Sequence, residues 1–182
     1  MSEEEARLIK RAKQGDAKAF AELYDRHYEA IHRYIFFRVG NAATAEDLTS
    51  EVFVRLVEKI DHFTYQGRPL LAWLYTIARN LVTDHHRRKG RATMLPLDES
   101  LKADTTQPEQ AADQMLKQRH LTEVLEGLTE GQRQVIILKF FEGLDNKTVA
   151  QIMNKSVGAV KALQHRGLAS MRRIIEREEK AS

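Results

Sequence analysis

The stretch DNKTVAQIMNKSVGAVKALQHRG, from Asp145 to Gly167, has the pattern of a helix-turn-helix. Asp145 is a favoured N-cap for a short first helix, and Ala150 is small enough for two helices to approach each other closely. Asn154 tolerates the left-handed backbone conformation of a tight turn, and Val160 is placed to be buried in the second helix. The stretch therefore predicts two helices joined by a turn at Asn154.

The second of these helices has small residues, followed by basic ones, on its outer face. Its apolar residues fall on the opposite side of a helical wheel and are Val157, Val160, Leu163, Met171 and Ile174. Small residues let the backbone approach the wall of the DNA major groove, and basic side chains further along reach phosphates or base edges. The residues that we predict to contact DNA are Ser156, Gly158, Lys161, Ala162, His165 and Arg166. The alternative is an ordinary helical hairpin with an alanine-rich surface.

Basic residues are concentrated in two segments, although the net charge of the 182-residue chain is only +3. Residues 146–175 contain six lysines and arginines and no acidic residue, and a second basic run, RNLVTDHHRRKGR, spans residues 79–91. Either run alone is compatible with a solvated helix face. Together they suggest two separate contacts with a polyanion such as DNA.

The composition excludes several classes of protein. The chain has no cysteine, so neither disulfides nor thiolate metal sites are expected. The N-terminal stretch MSEEEARLIKRAKQGD is too polar for a signal peptide, and no apolar run approaches membrane-spanning length. We therefore expect a cytoplasmic protein that is associated with the nucleoid and is not inserted in a membrane.

Apolar residues recur at spacings of three and four along the chain, and no strand-like alternation is present. This pattern predicts an all-α fold of at least six helices. After a short N-terminal helix, a long helix is predicted over residues 16–39 and is stopped by Gly40. Thr44 is predicted to cap the next helix, which runs to about Ile60.

Two further helix starts are marked by their capping chemistry. Pro69 fits the first turn of a helix that runs to about Arg88 and has Trp73 on its core face. Thr129 and Gln132 have the spacing of a capping box, which predicts the start of a helix before the helix-turn-helix.

Residues 93–110 lose the helical periodicity, turn polar and contain two of the three prolines, which is typical of a flexible linker. We therefore predict two small helical domains joined by this linker. One is an N-terminal helical bundle in residues 1–92, and the other is a C-terminal helix-turn-helix domain in residues 111–182.

The segment Asp84-His85-His86 is the strongest candidate for catalysis or metal binding. Adjacent residues on a helix point about 100° apart, so the two histidines cannot share a metal ion without further ligands. A His-x-x-x-His spacing, a glycine-rich phosphate loop and a nucleophile motif are all missing from the sequence. We therefore predict no catalytic residue, no bound metal, no cofactor and no enzymatic activity.

Four longer motifs occur in order along the chain. They are LIKRAKQGDAKAFAELYDRHYEAIHRYI, TAEDLTSEVFVRLVEKI, LLAWLYTIARNLVTDHHRRKGR and LTEGQRQVIILKFFEGLDNKTVAQIMNKSVGAVKALQHRGLASMRR. In this order they resemble the extracytoplasmic-function sigma factors of bacterial RNA polymerase, which belong to the sigma-70 family. The resemblance implies an N-terminal helical domain that binds core polymerase and melts the minus-ten promoter element, a flexible linker, and a C-terminal helix-turn-helix that recognises the minus-thirty-five element.

The motif AEDLTSEVF resembles the polymerase-binding helix of this family. The resemblance implies that five residues face the clamp coiled coil of the largest polymerase subunit: Asp47, Leu48, Glu51, Val52 and Phe53. Two positions depart from the family pattern, since glutamine is usual where Ser50 stands and tryptophan is frequent where Val57 stands. Without the resemblance, residues 46–58 would be interpreted as an exposed amphipathic face.

The motif WLYTIARNLVTDHHRR resembles the promoter-melting helix of the family. Its predicted minus-ten contacts are Arg79, Asn80, Thr83, Arg87 and Arg88, and the helical wheel independently turns all of these except Arg88 away from the core face. The loop before this helix occupies the place where family members trap a flipped base. Phe63 and Tyr65 would stack on that base, or, as the alternative, anchor the loop to the core.

The partners that the resemblance implies are core RNA polymerase, through its clamp coiled coil and its linker channel, and double- and single-stranded promoter DNA. An anti-sigma factor is a further expected partner. The remaining alternative is a stand-alone helix-turn-helix regulator that binds its promoter site without polymerase.

Overall fold

The computed structural model describes residues 2–66, 68–92 and 109–181, and within them the chain is helical and contains no strand. The all-α prediction is therefore confirmed. The predicted linker lies outside the described residues, except for its last two residues, which begin a helix. The helices are α1 (Glu3–Lys13), α2 (Ala17–Val39), α3 (Ala42–Lys59), α4 (Leu70–Ala92), α5 (Glu109–Glu126), α6 (Glu130–Ile136), α7 (Asn146–Met153) and α8 (Val157–Ala181). A 3-10 turn (Ile60–His62) follows α3, and a π turn (Ile137–Phe141) follows α6.

Helix α2 is capped by Asp16 at its start and ends, as predicted, at Gly40. The Asp16 carboxylate accepts hydrogen bonds from the backbone N–H groups of Lys18 and Ala19, at 2.9 and 3.4 Å. Gly40 ends the helix in the left-handed conformation, with φ 69°, and its N–H donates to the Phe36 carbonyl. Both predicted bounds of this helix are confirmed.

The start of α3 differs from the prediction. Thr44 does not cap this helix, because α3 already begins at Ala42 and the side chain of Asn41 is its N-cap. The Asn41 amide oxygen accepts a hydrogen bond of 2.9 Å from the Thr44 N–H. Asparagine caps a helix at least as well as threonine, so the earlier polar residue takes the role.

The capping box at the start of α6 is confirmed. The Gln132 N–H donates to the Thr129 hydroxyl, and the Thr129 N–H donates to the Gln132 side-chain oxygen, at 3.4 and 3.3 Å. The helix then widens into the π turn, and Gly143 reverses the chain with a φ of 66°.

The buried apolar side chains of the two halves form one continuous core. In the N-terminal half, helices α1–α4 bury Leu23, Ile31, Ile35, Leu56 and Leu74. In the C-terminal half, helices α5–α8 bury Leu125, Val135, Ile136, Val149, Ile152 and Val160. Val157, which the helical wheel also placed on the apolar side, is 39 % exposed. Val157 is the first residue of α8. A helical wheel predicts the side of the helix on which a residue lies, but it does not predict whether another helix covers the start of α8.

The two halves pack against each other. Helix α4 contacts α7, and α2 contacts both α5 and the π turn. The rings of Phe37 and Phe141, one from each half, have centroids 5.0 Å apart. Polar contacts across the same boundary include the pairing of Arg33 with Glu142 and the hydrogen bond from Arg79 to the Ile152 carbonyl.

Candidate nucleic-acid interface

The helix-turn-helix is formed by α7, a turn at Asn154 and α8. Asn154 has φ 53° and ψ 49°, and is the only described residue other than glycine with a positive φ. The Asp145 carboxylate caps α7 by accepting from the Thr148 N–H at 2.8 Å. The predicted turn and N-cap are therefore confirmed.

The six residues predicted on the recognition face, Ser156 to Arg166, are all exposed. Ser156 has a structural role as well, because its hydroxyl accepts from the Ala159 N–H at 3.1 Å and so caps α8. A Cβ atom built on Gly158 would meet nothing closer than the Ser156 hydroxyl at 4.0 Å. The interior of the protein therefore does not require a glycine at this position.

The predicted minus-ten face of α4 is only partly free. Asn80, Thr83, Arg87 and Arg88 are exposed, whereas Arg79 is half-buried. The Arg79 guanidinium donates a hydrogen bond of 3.3 Å to the carbonyl of Ile152, at the end of α7. Arg87 pairs with Asp84 on the helix surface at 3.1 Å. The helix-turn-helix thus contacts one edge of this face.

The two aromatic residues of the loop before α4 have different environments. Phe63 is only 6 % exposed, and its ring centroid lies 5.2 Å from that of Trp73. The Lys13 ammonium donates to the Phe63 carbonyl at 2.6 Å and ties this end of the loop to α1. Tyr65 is 50 % exposed. Phe63 therefore anchors the loop, and Tyr65 is the ring available to a ligand.

A cavity of about 350 Å³ lies beside this loop. It is lined by residues of the loop, by the start of α4 and by one residue of α7: His62, Phe63, Thr64, Gln66, Arg68, Trp73 and Gln151. Its lining is predominantly polar, which suits a base edge better than an apolar ligand.

The five residues predicted to face polymerase are divided by the geometry of α3. Asp47 is exposed, and Leu48 and Glu51 are half-buried at the surface, where Glu51 accepts from Arg55 at 3.0 Å. Val52 is fully buried and Phe53 is nearly so. The structure therefore corrects the expectation for these two, because their place in the helical period turns them toward the core, where they support the helix.

Sequence reasoning missed two apolar residues on the outer side of this helix. Val54 and Val57 are 50 % and 56 % exposed and lie on the same helix as the acids Asp47 and Glu51. Val57 borders a shallow apolar cavity of about 400 Å³ that also involves Phe20, Tyr24 and Phe53. The sequence could have indicated them, because α3 has apolar residues on two sides, whereas a simple amphipathic helix has them on one side only.

Among the described residues, His85 and His86 belong to no group of side chains that could hold a metal ion. Their rings lie 5.8 Å apart at a steep angle. Burial lowers the pKa of both imidazoles, and the positive charges of Lys89 and Arg88 lower that of His85 further. In the part of the chain that the structure describes, no group of three or more histidine, aspartate or glutamate side chains converges to hold a metal ion.

A helix with the length and apolar character needed to cross a membrane is not found among the described residues.

The sequence matches two protein families along its length. Residues 23–92 match Sigma-70 region 2, and residues 118–171 match Sigma-70, region 4. The first match contains α3, the loop and α4, and the second contains the helix-turn-helix. The two regions therefore coincide with the surfaces described above.

Similar proteins are named ECF RNA polymerase sigma factors. The chain is 41 % identical to the ECF RNA polymerase sigma factor BldN of Streptomyces coelicolor, over 92 % of this chain and 64 % of that protein. It is 31 % identical to the ECF RNA polymerase sigma factor SigW of Bacillus subtilis, over 91 % of this chain and 93 % of that protein.

Solved structures share the fold. CnrH, solved in complex with the cytosolic domain of CnrY, has a TM-score of 0.72 at 24 % identity, over 93 % of this chain and 95 % of that one. The sigma factor RpoE of Bartonella quintana, solved in complex with the anti-sigma factor NepR, has a TM-score of 0.73 at 24 % identity, over 88 % and 98 %. This family consists of promoter-recognition factors that bind core RNA polymerase and are not enzymes. The chain belongs to the extracytoplasmic-function (ECF) sigma factors of bacterial RNA polymerase.

Proposed function

We propose that three helices of this sigma factor carry out its three functions, which are promoter recognition, polymerase binding and promoter opening. In the C-terminal domain, residues 111–182, the exposed face of α8 recognises the minus-thirty-five element. In the N-terminal domain, residues 1–92, α3 binds core polymerase, while α4 and the loop before it open the minus-ten element. Residues 93–110 connect the two domains.

The observation that carries this proposal is the face of α8. Gly158 and Ala162 leave space for a groove wall, and Lys161, His165 and Arg166 follow with exposed basic or polar heads. A glycine near the start of a helix lowers helix stability, and the interior does not need it here. We propose that Gly158 allows the backbone of α8 to approach DNA closely.

The minus-ten surface has side chains that can bind phosphate and side chains that can bind a base. Arg87 and Arg88 are exposed cations suited to the DNA backbone, and Asn80 presents an exposed amide that can pair with a base edge. Tyr65 offers an exposed ring beside the polar cavity, and stacking an unpaired base on such a ring contributes about 1–3 kcal/mol.

The polymerase surface combines an apolar centre with an acidic border. Val54 and Val57 supply exposed apolar area, while Asp47 and Glu51 lie on the same helix. An interface with an apolar centre and a charged rim is the usual form of a specific protein contact. The partner surface that fits is a basic one with apolar side chains, which we propose to be the clamp coiled coil of the largest polymerase subunit.

We further propose that an anti-sigma factor binds this chain, as NepR binds its relative RpoE. The proposed location is the cytoplasm, at the nucleoid, where core polymerase and promoters meet.

In vitro transcription tests the proposed function. The purified chain is mixed with core polymerase and fragments of genomic DNA, and the 5′ ends of the transcripts are sequenced. We expect discrete start sites that share two upstream elements, and none of them when the chain or the polymerase is omitted. On a labelled duplex of one such promoter, at about 150 mM salt, the free chain should bind weakly and the holoenzyme tightly. Tight, sequence-specific binding by the free chain would instead favour a stand-alone regulator.

A further inference from the structure

The N-terminal helix α1 reaches the loop before α4 through its last residue, Lys13. This helix precedes residues 23–92, which match Sigma-70 region 2, and none of its residues is among the predicted contacts with DNA or polymerase. The Lys13 ammonium donates a hydrogen bond of 2.6 Å to the carbonyl of Phe63, 50 positions along the chain. A hydrogen bond from a charged donor is stronger than a neutral one, so this contact links α1 firmly to the loop.

Helix α1 is itself held against α2. The Glu5 carboxylate lies 3.2 Å from the His27 imidazole of α2, and both side chains are almost completely covered. The buried apolar residues of α1 are Leu8, Ile9 and Ala12. The side chain of Lys13 therefore starts from a support that moves only if buried apolar surface becomes exposed.

Phe63 is the residue at which the loop leaves the packed part of the structure. Its N–H donates to the Ile60 carbonyl at 3.0 Å, and its ring packs against Trp73 of α4. The contact with Lys13 holds a third group, the carbonyl, and with it the plane of the peptide that leads to Thr64. Lys13 therefore sets the direction in which the loop continues.

The residues after Phe63 are the part of the loop that is available to DNA. Thr64, Tyr65 and Gln66 are all exposed, and Thr64 and Gln66 line the cavity beside the loop. Tyr65 is two residues beyond Phe63, so their Cα atoms are at most about 7 Å apart. A change in the direction of the Phe63 carbonyl therefore changes the position of the Tyr65 ring.

A loop that is held in place before DNA arrives captures a base more readily than a mobile one. A mobile loop loses conformational entropy when it closes on a ligand, and that loss is subtracted from the free energy of binding. The anchored Phe63 carbonyl removes part of this loss in advance, because the backbone that leads to Tyr65 already has a fixed direction.

Resting on the proposed function, we propose that Lys13 is a positioning residue for promoter opening. It contacts no base itself. It holds the Phe63 carbonyl so that Tyr65 and the cavity beside it are in place for the unpaired base of the minus-ten element. Helix α1 thereby takes part in promoter opening, although DNA does not touch it.

The competing role for Lys13 is a direct contact with a DNA phosphate. The two roles differ in their salt dependence. A lysine that neutralises a phosphate adds about one to the slope of log K against log salt concentration, whereas a hydrogen bond within the protein adds nothing. They also differ without DNA, because only the positioning role changes the loop of the free chain.

The first measurement uses the free chain and the fluorescence of Trp73, which is the only tryptophan in the sequence. Trp73 is half-buried, packs against Phe63 and lines the cavity beside the loop. The quenching of its fluorescence by acrylamide therefore reports how closely the loop covers it. Lys13→Met keeps an unbranched apolar side chain and removes the donor, so it should increase the quenching.

Two further variants separate the hydrogen bond from the charge. Lys13→Arg keeps a charged donor and should restore the quenching of the wild type. The matched control is Lys10→Met, which makes the same substitution at an exposed position of α1 and should leave the quenching unchanged. Circular dichroism checks that every variant keeps its helices. Lys13→Gln, which has a shorter polar side chain, repeats the test if the methionine perturbs the fold.

The second measurement uses holoenzyme at a promoter with a mapped start site, where permanganate reactivity of unpaired thymines gives the extent of opening. Losing a hydrogen bond from a charged donor corresponds to a factor of about ten in an equilibrium constant, so Lys13→Met should lower the constant for opening about tenfold. Lys13→Arg and Lys10→Met should open the promoter as the wild type does. The salt dependence of promoter binding should be the same for all of these proteins.

Three results with Lys13→Met would overturn the positioning role: unchanged quenching of Trp73, normal promoter opening, or a salt slope lowered by about one, which would assign Lys13 to a phosphate. The proposed function is tested separately by the wild type. Wild-type holoenzyme that opens no promoter would contradict that function, whereas wild-type opening that Lys13→Met leaves unchanged would contradict only the role of Lys13.

Discussion

Gly158 and Gly167 lie on the same helix, and only Gly167 is packed closely against another helix. A Cβ atom on Gly167 would approach the Ile136 side chain to 3.2 Å, whereas one on Gly158 would have open space around it. Gly167 is buried against α6, and Gly158 is exposed. The same residue type therefore serves the interior at one position and an external surface at the other.

Gly158→Ala should separate stability from DNA binding. The substitution removes the conformational freedom of a glycine in a helix and should stabilise the free chain by up to about 1 kcal/mol. It should also weaken holoenzyme binding to the minus-thirty-five element, because the added methyl group would keep the helix backbone further from the wall of the DNA groove. Thermal unfolding and anisotropy measure the two effects. Tighter or equal DNA binding would show that the backbone does not approach DNA there.

Arg166→Ala should weaken binding to the minus-thirty-five element and lower the slope of log K against log salt concentration by about one, if the side chain holds a phosphate. Lys180→Ala, an exposed cation near the end of the same helix, is the control and should leave the slope unchanged. An unchanged slope with Arg166→Ala would assign that residue to a base contact or to no contact.

Ala162→Glu should abolish recognition of the minus-thirty-five element, because it brings bulk and negative charge to the exposed face that points at DNA. Ala162→Gln has similar bulk without the charge and should be impaired less. Holoenzyme transcription from a mapped promoter measures both. Normal initiation by the glutamate variant would show that α8 faces DNA with another side.

Reversing Asp47 and Glu51 together to lysine should abolish holoenzyme formation and leave the fold intact. Both residues lie at the surface, and the only paired one, Glu51, loses a surface ion pair with Arg55 that contributes about 0.3–0.5 kcal/mol. Co-elution with core polymerase measures the effect. The control reverses Asp25 and Glu29, exposed acids of α2, and should co-elute normally. Undiminished co-elution of the first variant would remove α3 from the interface.

Phe63→Ala should mainly reduce stability, whereas Tyr65→Ala should mainly reduce promoter opening. Phe63 is packed against Trp73, so its truncation should cost about 3 kcal/mol of the free energy of unfolding. Tyr65 is half exposed, so Tyr65→Ala should leave stability nearly unchanged and reduce promoter opening, measured by permanganate reactivity of unpaired thymines. Full opening by Tyr65→Ala holoenzyme would mean that the base stacks elsewhere.

Several features of this protein were predictable from its sequence because they depend on neighbours three or four residues away. The period of apolar residues predicts the helices, the Thr129–Gln132 capping box predicts the start of α6, and Asn154 predicts the turn before α8. The wrong cap at α3 is an error of the same local kind, since two adequate capping residues stand three positions apart and only geometry chooses Asn41.

What only the tertiary structure decided is which side chains other helices cover. Within the motif AEDLTSEVF the family resemblance placed Val52 and Phe53 at the surface, whereas packing of α3 against α2 and α4 buries both. Likewise Phe63 and Tyr65 are equivalent aromatics until the loop is placed against Trp73. The pairing of Arg33 with Glu142 joins residues 109 positions apart. Helical period and capping act within a few residues of the chain, but a contact over such a separation exists only once the two halves have docked.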